Sequence, residues 1–169
     1  MPKRYFSNRS QCYKFIKIST KECETMKRLE MVAKNLAVKL NIASPGKLRV
    51  ASTIACQLAL EMASVSDAYV SDAFFQLQRD GFLSVESIAK LNDIASNLDD
   101  KYFDLQESGS ADINDSEMIL FFSQARAISA LAFAGGSNAL DSAMESIYEA
   151  SAAVDNSDEL FDKLMRLLN

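Results

Sequence analysis

The chain has no histidine and no tryptophan, and only 2 prolines, 5 glycines and 3 cysteines in 169 residues. Each shortage excludes something. Without histidine there is no histidine-liganded metal site, no Glu-x-x-His di-iron signature of ferritin-like bundles and no triad built on an imidazole base. With so few glycines there is no phosphate-cradling loop: Gly46 stands alone and Gly135-Gly136 is an isolated pair. Scarce helix breakers combined with long periodic runs leave an all-α class as the natural outcome. Cys12, Cys23 and Cys56 are odd in number and unrelated in spacing, so they read as reduced thiols of a cytoplasmic protein rather than a disulfide framework. Cys56 lies in an apolar run and suits a small buried hydrophobe. Cys23 lies near a helix start, but no base accompanies it. Met1-Pro2-Lys3-Arg4 is not followed by the apolar stretch of a signal peptide. No catalytic constellation emerges, so the expectation is a protein that is not an enzyme and uses neither metal nor cofactor.

What is present is helical periodicity. Residues 1–169 suffice for one domain with a real core. The central stretch is 118–134, MILFFSQARAISALAFA, in which Ser123, Gln124, Arg126 and Ser129 are the polar residues. A helix apolar nearly all round belongs in the middle of a bundle. It is shorter, and more polar in the middle, than the roughly 20 apolar residues of a membrane span. The expected fold is a helical bundle of about six to eight helices around this one.

The remaining elements follow in order. Residues 1–19 form a basic, aromatic arm or short helix. Thr20 reads as a cap for one amphipathic helix over 21–40, with Met26, Leu29, Ala33, Leu36 and Leu40 inward and Lys27, Lys34 and Lys39 on the wet side. Ser44-Pro45 opens the next, with Leu48, Ala51, Ala55, Leu58 and Met62 as its seam and Val50 and Ile54 widening it. Ser66 or Asp67 caps a third helix, closed by Gly81. Ser84 to Ser87 opens a fourth, with Ile88, Leu91, Ala95, Leu98, Tyr102 and Leu105 in register. The loop 107–116 precedes the central helix. Ser137-Asn138 starts another, and Asp158 to Leu168 the last.

Charge is unevenly laid out. Residues 1–50 hold 12 Lys and Arg against 3 Asp and Glu, a net of +9, and residues 51–169 hold 6 against 20, a net of −14. Acid concentrates in Asp93, Asp99, Asp100, Asp104, Glu107, Asp112, Asp115 and Glu117, with Lys101 the lone cation and Tyr102 and Phe103 inside the run. A solvated helix end is the bland reading. The sharper one is a partner-binding surface: an acidic rim around an aromatic anchor, docking on a basic cleft. Asp100, Asp104 and Glu107 share a helix face, Asp99 flanks it, and Tyr102 is open to burial in the core instead. Arg126 reads as a half-buried cation paired with a carboxylate of a neighbouring helix, because an unpaired buried charge is too costly.

A small, acidic, all-helical chain of this kind resembles the immunity proteins of bacterial toxin systems, contact-dependent growth inhibition included. Two segments, Leu48-RVASTIACQLALE-Met62 and Phe122 to Val154, are similar to core segments of the YjaG-like helical bacterial proteins. Gln57-Leu58 stands where that family has Glu-Arg, and its Leu-Pro-x-Tyr is missing, so the likeness implies a fold and transfers no functional residue. The immunity resemblance implies a cognate protein toxin as partner, a basic nuclease domain in the most concrete form. The alternative is a regulatory or nucleic-acid-associated protein that sets Lys3, Arg4, Arg9, Lys14 and Lys17 on phosphates and stacks Tyr5, Phe6, Tyr13 and Phe15 on bases. The acidic balance argues against it, and these cations are expected to neutralise the acidic body of the same chain or of a neighbouring copy in a homo-oligomer. No membrane partner is expected.

Overall fold

The structure is a computed structural model that describes residues 27–108 and 115–169. The arm 1–19, the Thr20 cap, Cys23, Met26 and the loop residues 109–114, Asp112 among them, lie outside the described residues. Eight helices and no strand occur among the described residues. They are α1 (Arg28–Val32), α2 (Lys34–Ile42), α3 (Pro45–Met62), α4 (Ala68–Asp80), α5 (Val85–Ser108), α6 (Asp115–Ala134), α7 (Ala139–Ala153) and α8 (Ser157–Leu168). The all-α bundle is as the periodicity requires.

Helix starts follow the cap residues. Asp67 accepts from the Val70 amide at 3.0 Å, Ser84 from that of Ser87 at 3.0 Å, and Asn138 from that of Asp141 at 3.0 Å. Each satisfies an amide that the helix itself leaves without a partner. Gly81, at φ 76°, ends α4 in the left-handed conformation. The C-terminus of α6 is closed by a side chain instead. Arg49 of α3 donates to the carbonyls of Ala134, Gly136 and Ser137 at 3.1, 2.7 and 2.7 Å. A cation there also complements the helix dipole.

Four expectations need correction. The helix over 21–40 is not continuous. Within its described part it bends at Ala33 (φ −144°, ψ 61°), which lets α1 lie along α7 while α2 reaches α8 as well. Leu29, Leu36 and Leu40 still face inward. Val50 does not widen the α3 seam. It lies more than half a turn from Leu48, is exposed, and leaves Ser52 and Cys56 to fill that side. Met62, at the end of α3, is also exposed.

The fourth correction concerns α6. It runs for 20 residues, long and apolar enough by composition alone to cross a membrane. In the bundle it packs against α5, α7 and α3, with Ala125, Ala127, Ile128, Ala130, Leu131, Ala132 and Ala134 buried. Only this second half is central. In the first half Ile119, Leu120 and Phe122 are 51%, 40% and 36% exposed.

The alanines of α6 and α3 let these helices approach closely, and Gly135 admits the α4–α5 connection. The Leu83 amide donates to the Gly135 carbonyl at 3.0 Å, and a Cβ on Gly135 would lie 2.7 Å from the Leu83 side chain. Gly135→Ala is therefore expected to lower stability by about 1–3 kcal/mol, as overpacking does. Leu131→Ala, at a position with no exposure, is expected to lower it by about 2–5 kcal/mol. Urea unfolding of the two variants measures both values; a Leu131→Ala loss below about 0.5 kcal/mol, the range of surface substitutions, would show that α6 is not the core helix.

Candidate functional site

Two arrangements of charge organise the half of the bundle around α6. The first is an ion-pair chain. Glu149 of α7 is 3% exposed, and a carboxylate so far from water must be paired. It accepts from Arg28 of α1 at 2.7 Å and from Arg126 of α6 at 3.0 Å. Arg28 also pairs with Glu145, and Arg126 with Asp99 of α5. The Arg28 guanidinium lies 4.4 Å from the centroid of the Tyr148 ring, a cation–π contact. Burial works against the Arg28 charge, but the Glu145 hydrogen bond and the attraction of Glu149 outweigh it and raise its pKa. Lys27 pairs with Asp141 at 2.7 Å, and its hydrogen bond to that carboxylate raises its pKa. The Nε of Arg126 is buried and has no hydrogen-bond partner among the described residues, the one weak point of the chain. Burial raises the Cys56 thiol well above its usual value, consistent with an inert core residue.

The second arrangement is the free end of the α5–α6 hairpin. Arg126 pairs with Glu149, so the antiparallel register sets Ala153, the end of α7, opposite about residue 122. The Gln124 side chain donates to the Ser64 carbonyl at 3.5 Å, just past the end of α3. Both neighbours of α6 therefore stop near Phe122. Beyond them α5 and α6 continue as a two-helix arm, roughly 12 Å long at 1.5 Å per residue. Its α5 side carries exposed Asp104 and Glu107 and its α6 side exposed Asp115 and Glu117, while exposed Asp100, next to the Asp99 that pairs with Arg126, sits at its root. Ile119, Leu120 and Phe122 of α6 are exposed as well. Tyr102 packs edge-on to Phe103 at 5.2 Å and tilts on Phe122 at 5.6 Å.

The expected site residues thus divide. Asp104, Glu107, Asp115 and Glu117 lie exposed on the arm, and Asp100 lies exposed at its root. Asp93 is exposed but lies two turns back along α5. Asp99 does not belong to an open acidic face: its carboxylate is taken up by Arg126. Tyr102 is half-buried within the arm's own aromatic cluster rather than in the main core. Asp115 and Glu117 also serve the α6 dipole, as acids in a first turn do. Arg126 has the carboxylate partner assigned to it, and a second one. The Glu145–Glu149 pair was not singled out in the sequence; two acids one turn apart on an otherwise inward face were its signal. Nor were Ile119, Leu120 and Phe122, which read as core because nothing local says where the neighbours end.

An open groove of about 330 Å³ between α3 and α8 is lined by Leu58, Met62, Val154 and Leu160 together with the polar Asp155, Asn156, Glu159 and Lys163. Among the described residues no group of three His, Cys, Asp or Glu side chains could hold a metal. No protein-family model, curated protein or solved structure matches the chain.

Glu149→Gln would leave two arginines sharing one neutral amide. The expected loss is about 2–3 kcal/mol, below that of a fully buried pair because Arg28 keeps access to water. Urea unfolding measures it, and a loss under about 0.5 kcal/mol would show that the Glu149 charge is not what the two arginines depend on.

Proposed function

We propose that this is a non-enzymatic binding protein whose α5–α6 arm docks on a basic partner. In its most concrete form it is an immunity protein that neutralises a cytoplasm-acting bacterial toxin, a nuclease domain in particular. The arm carries the reading: apolar Ile119, Leu120 and Phe122 are exposed on the same helical hairpin as five exposed carboxylates, Asp100, Asp104, Glu107, Asp115 and Glu117. Apolar side chains at the centre of a patch supply binding energy, and charges at its rim supply rate and partner choice. A nuclease cleft must attract polyphosphate, so it carries the complementary cations.

The nucleic-acid alternative is the weaker reading. Six cations of the basic first third are described. Of these, Lys27 and Arg28 are ion-paired, and Lys39, Lys47 and Arg49 donate hydrogen bonds within the chain. Lys3, Arg4, Arg9, Lys14 and Lys17 lie outside the described residues.

Co-purification with the product of a neighbouring toxin gene, followed by titration, tests the proposal. Asp100→Lys with Asp104→Lys is expected to leave stability within about 0.5 kcal/mol. It should slow association about tenfold at low salt and flatten the salt dependence. Leu120→Ala is expected to speed dissociation, with about 1–2 kcal/mol lost from binding. Unchanged kinetics in both variants would remove the arm from the interface. Failure to bind, or to protect cells from, any such toxin would remove the immunity reading.

A further inference from the structure

The groove between α3 and α8 holds an apolar seat, an exposed apolar side chain and charges of both signs on one lining. Its deepest liner is Leu160, 3% exposed, with half-buried Leu58 and Val154 beside it. Met62 belongs to the same lining and is 55% exposed. An unbranched, flexible side chain of that kind adapts to an irregular seat. The polar liners are all exposed, so no buried polar group is present to orient a small molecule. Asn156 accepts the Glu159 amide as the α8 cap. Asp155, Glu159 and Lys163 have no ion-pair partner among the described residues. Glu159 and Lys163 are one turn apart on α8, a spacing that permits a pair along the helix, yet neither holds the other.

We propose that a second copy of the chain occupies this groove, the two pairing about a twofold axis. Two α8 helices laid antiparallel bring Glu159 of each copy opposite Lys163 of the other, and a twofold interface forms both contacts at once. A partner of a single charge sign meets one of these side chains with repulsion, whereas a second copy meets both with attraction. With the axis over the groove, the same operation turns each exposed Met62 toward Leu58, Val154 and Leu160 of the other copy. One groove supplies less than the roughly 800 Å² per partner of a stable complex, so the pair is weak and depends on concentration. The helix α8 packs chiefly on α3, α2 and α7, not on the α5–α6 arm. Pairing therefore leaves the arm open and stands whether or not the arm docks on a toxin.

Sedimentation equilibrium of the full-length chain between about 5 and about 500 µM reads the pairing, and the wild type is expected to dimerise with a Kd on the order of 100 µM. Met62→Ser, at an exposed position, is expected to raise Kd about tenfold. Lys163→Glu and Glu159→Lys each set like charges across the axis and are each expected to raise it about tenfold as well. Mixed in equal amounts, these two charge variants are expected to recover a dimer near the wild-type affinity, because each supplies the sign that the other has lost. Labelling them with different fluorophores shows that the recovered dimer contains one of each, which a folding defect in either variant does not produce. Asp100→Lys with Asp104→Lys, on the arm side, is expected to leave Kd unchanged. A wild-type chain still monomeric at about 500 µM would overturn the proposal, the groove then being left to water or to a different protein. A dimer indifferent to Met62→Ser and to both charge variants would also overturn it, as would charge variants that stay monomeric when mixed. Loss of the dimer in the Asp100→Lys/Asp104→Lys variant would move the contact to the arm and overturn it too.

Discussion

The carboxylate of Glu149 is the constraint on which the neighbouring helices settle. It is almost wholly removed from water, so its charge is tolerable only while cations hold it from more than one side. Arg28 and Arg126 do so at 2.7 and 3.0 Å. In doing so they bring α1 and α6 to fixed positions on α7, and Asp99 extends the hold to α5. An apolar seam made largely of alanine is smooth and permits sliding by a turn. A sliding helix here would strand a charge. The network therefore contributes register more than net stability, which is the best-attested use of such groups.

From that register follows where the arm begins. With Arg126 pinned opposite Glu149, α7 has one more turn before its end, and α3 stops at the level of Gln124. The start of α6, ahead of Phe122, runs past the ends of α3 and α7 beside α5. The exposure of Ile119, Leu120 and Phe122 is thus a consequence of helix lengths and one ion pair, not of a local sequence peculiarity. Core cohesion and the proposed docking surface occupy opposite ends of one helix. Changes at Ala127 or Leu131 act on folding, and changes at Leu120 act on the surface.

Much of the fold was legible in the sequence because it rests on local rules. Asp67, Ser84, Asn138 and Gly81 sit where caps and a left-handed terminator belong, and the three/four spacing of Leu91, Ala95 and Leu98 gave the α5 seam. The pairing of Arg126 was legible from cost alone, although Glu149 as its partner was not. What escaped depends on long-range geometry. The bend at Ala33 accompanies a difference in long-range packing: both α1 and α2 touch α7, and α2 reaches α8 as well. Asp99 looked like one more surface acid until α6 lay beside it. Apolar residues 118–122 cannot be told from core by periodicity, because only the third dimension shows where α3 and α7 end.

Acid and apolar groups on the same small arm also decide what it can adhere to. An exposed patch of Ile, Leu and Phe by itself would favour self-association. Two copies meeting arm to arm would bring five carboxylates against five, with Lys101 the sole cation on each side and its ammonium held over the Phe121 ring at 5.5 Å. Like charges brought together across a desolvated contact cost several kcal/mol, which offsets what burying three apolar side chains contributes. On the proposed docking function, these acids would disfavour a symmetric pairing while leaving the apolar side chains available to a cationic surface. Selectivity of this kind, on the docking function proposed above, would need no pocket and no motif.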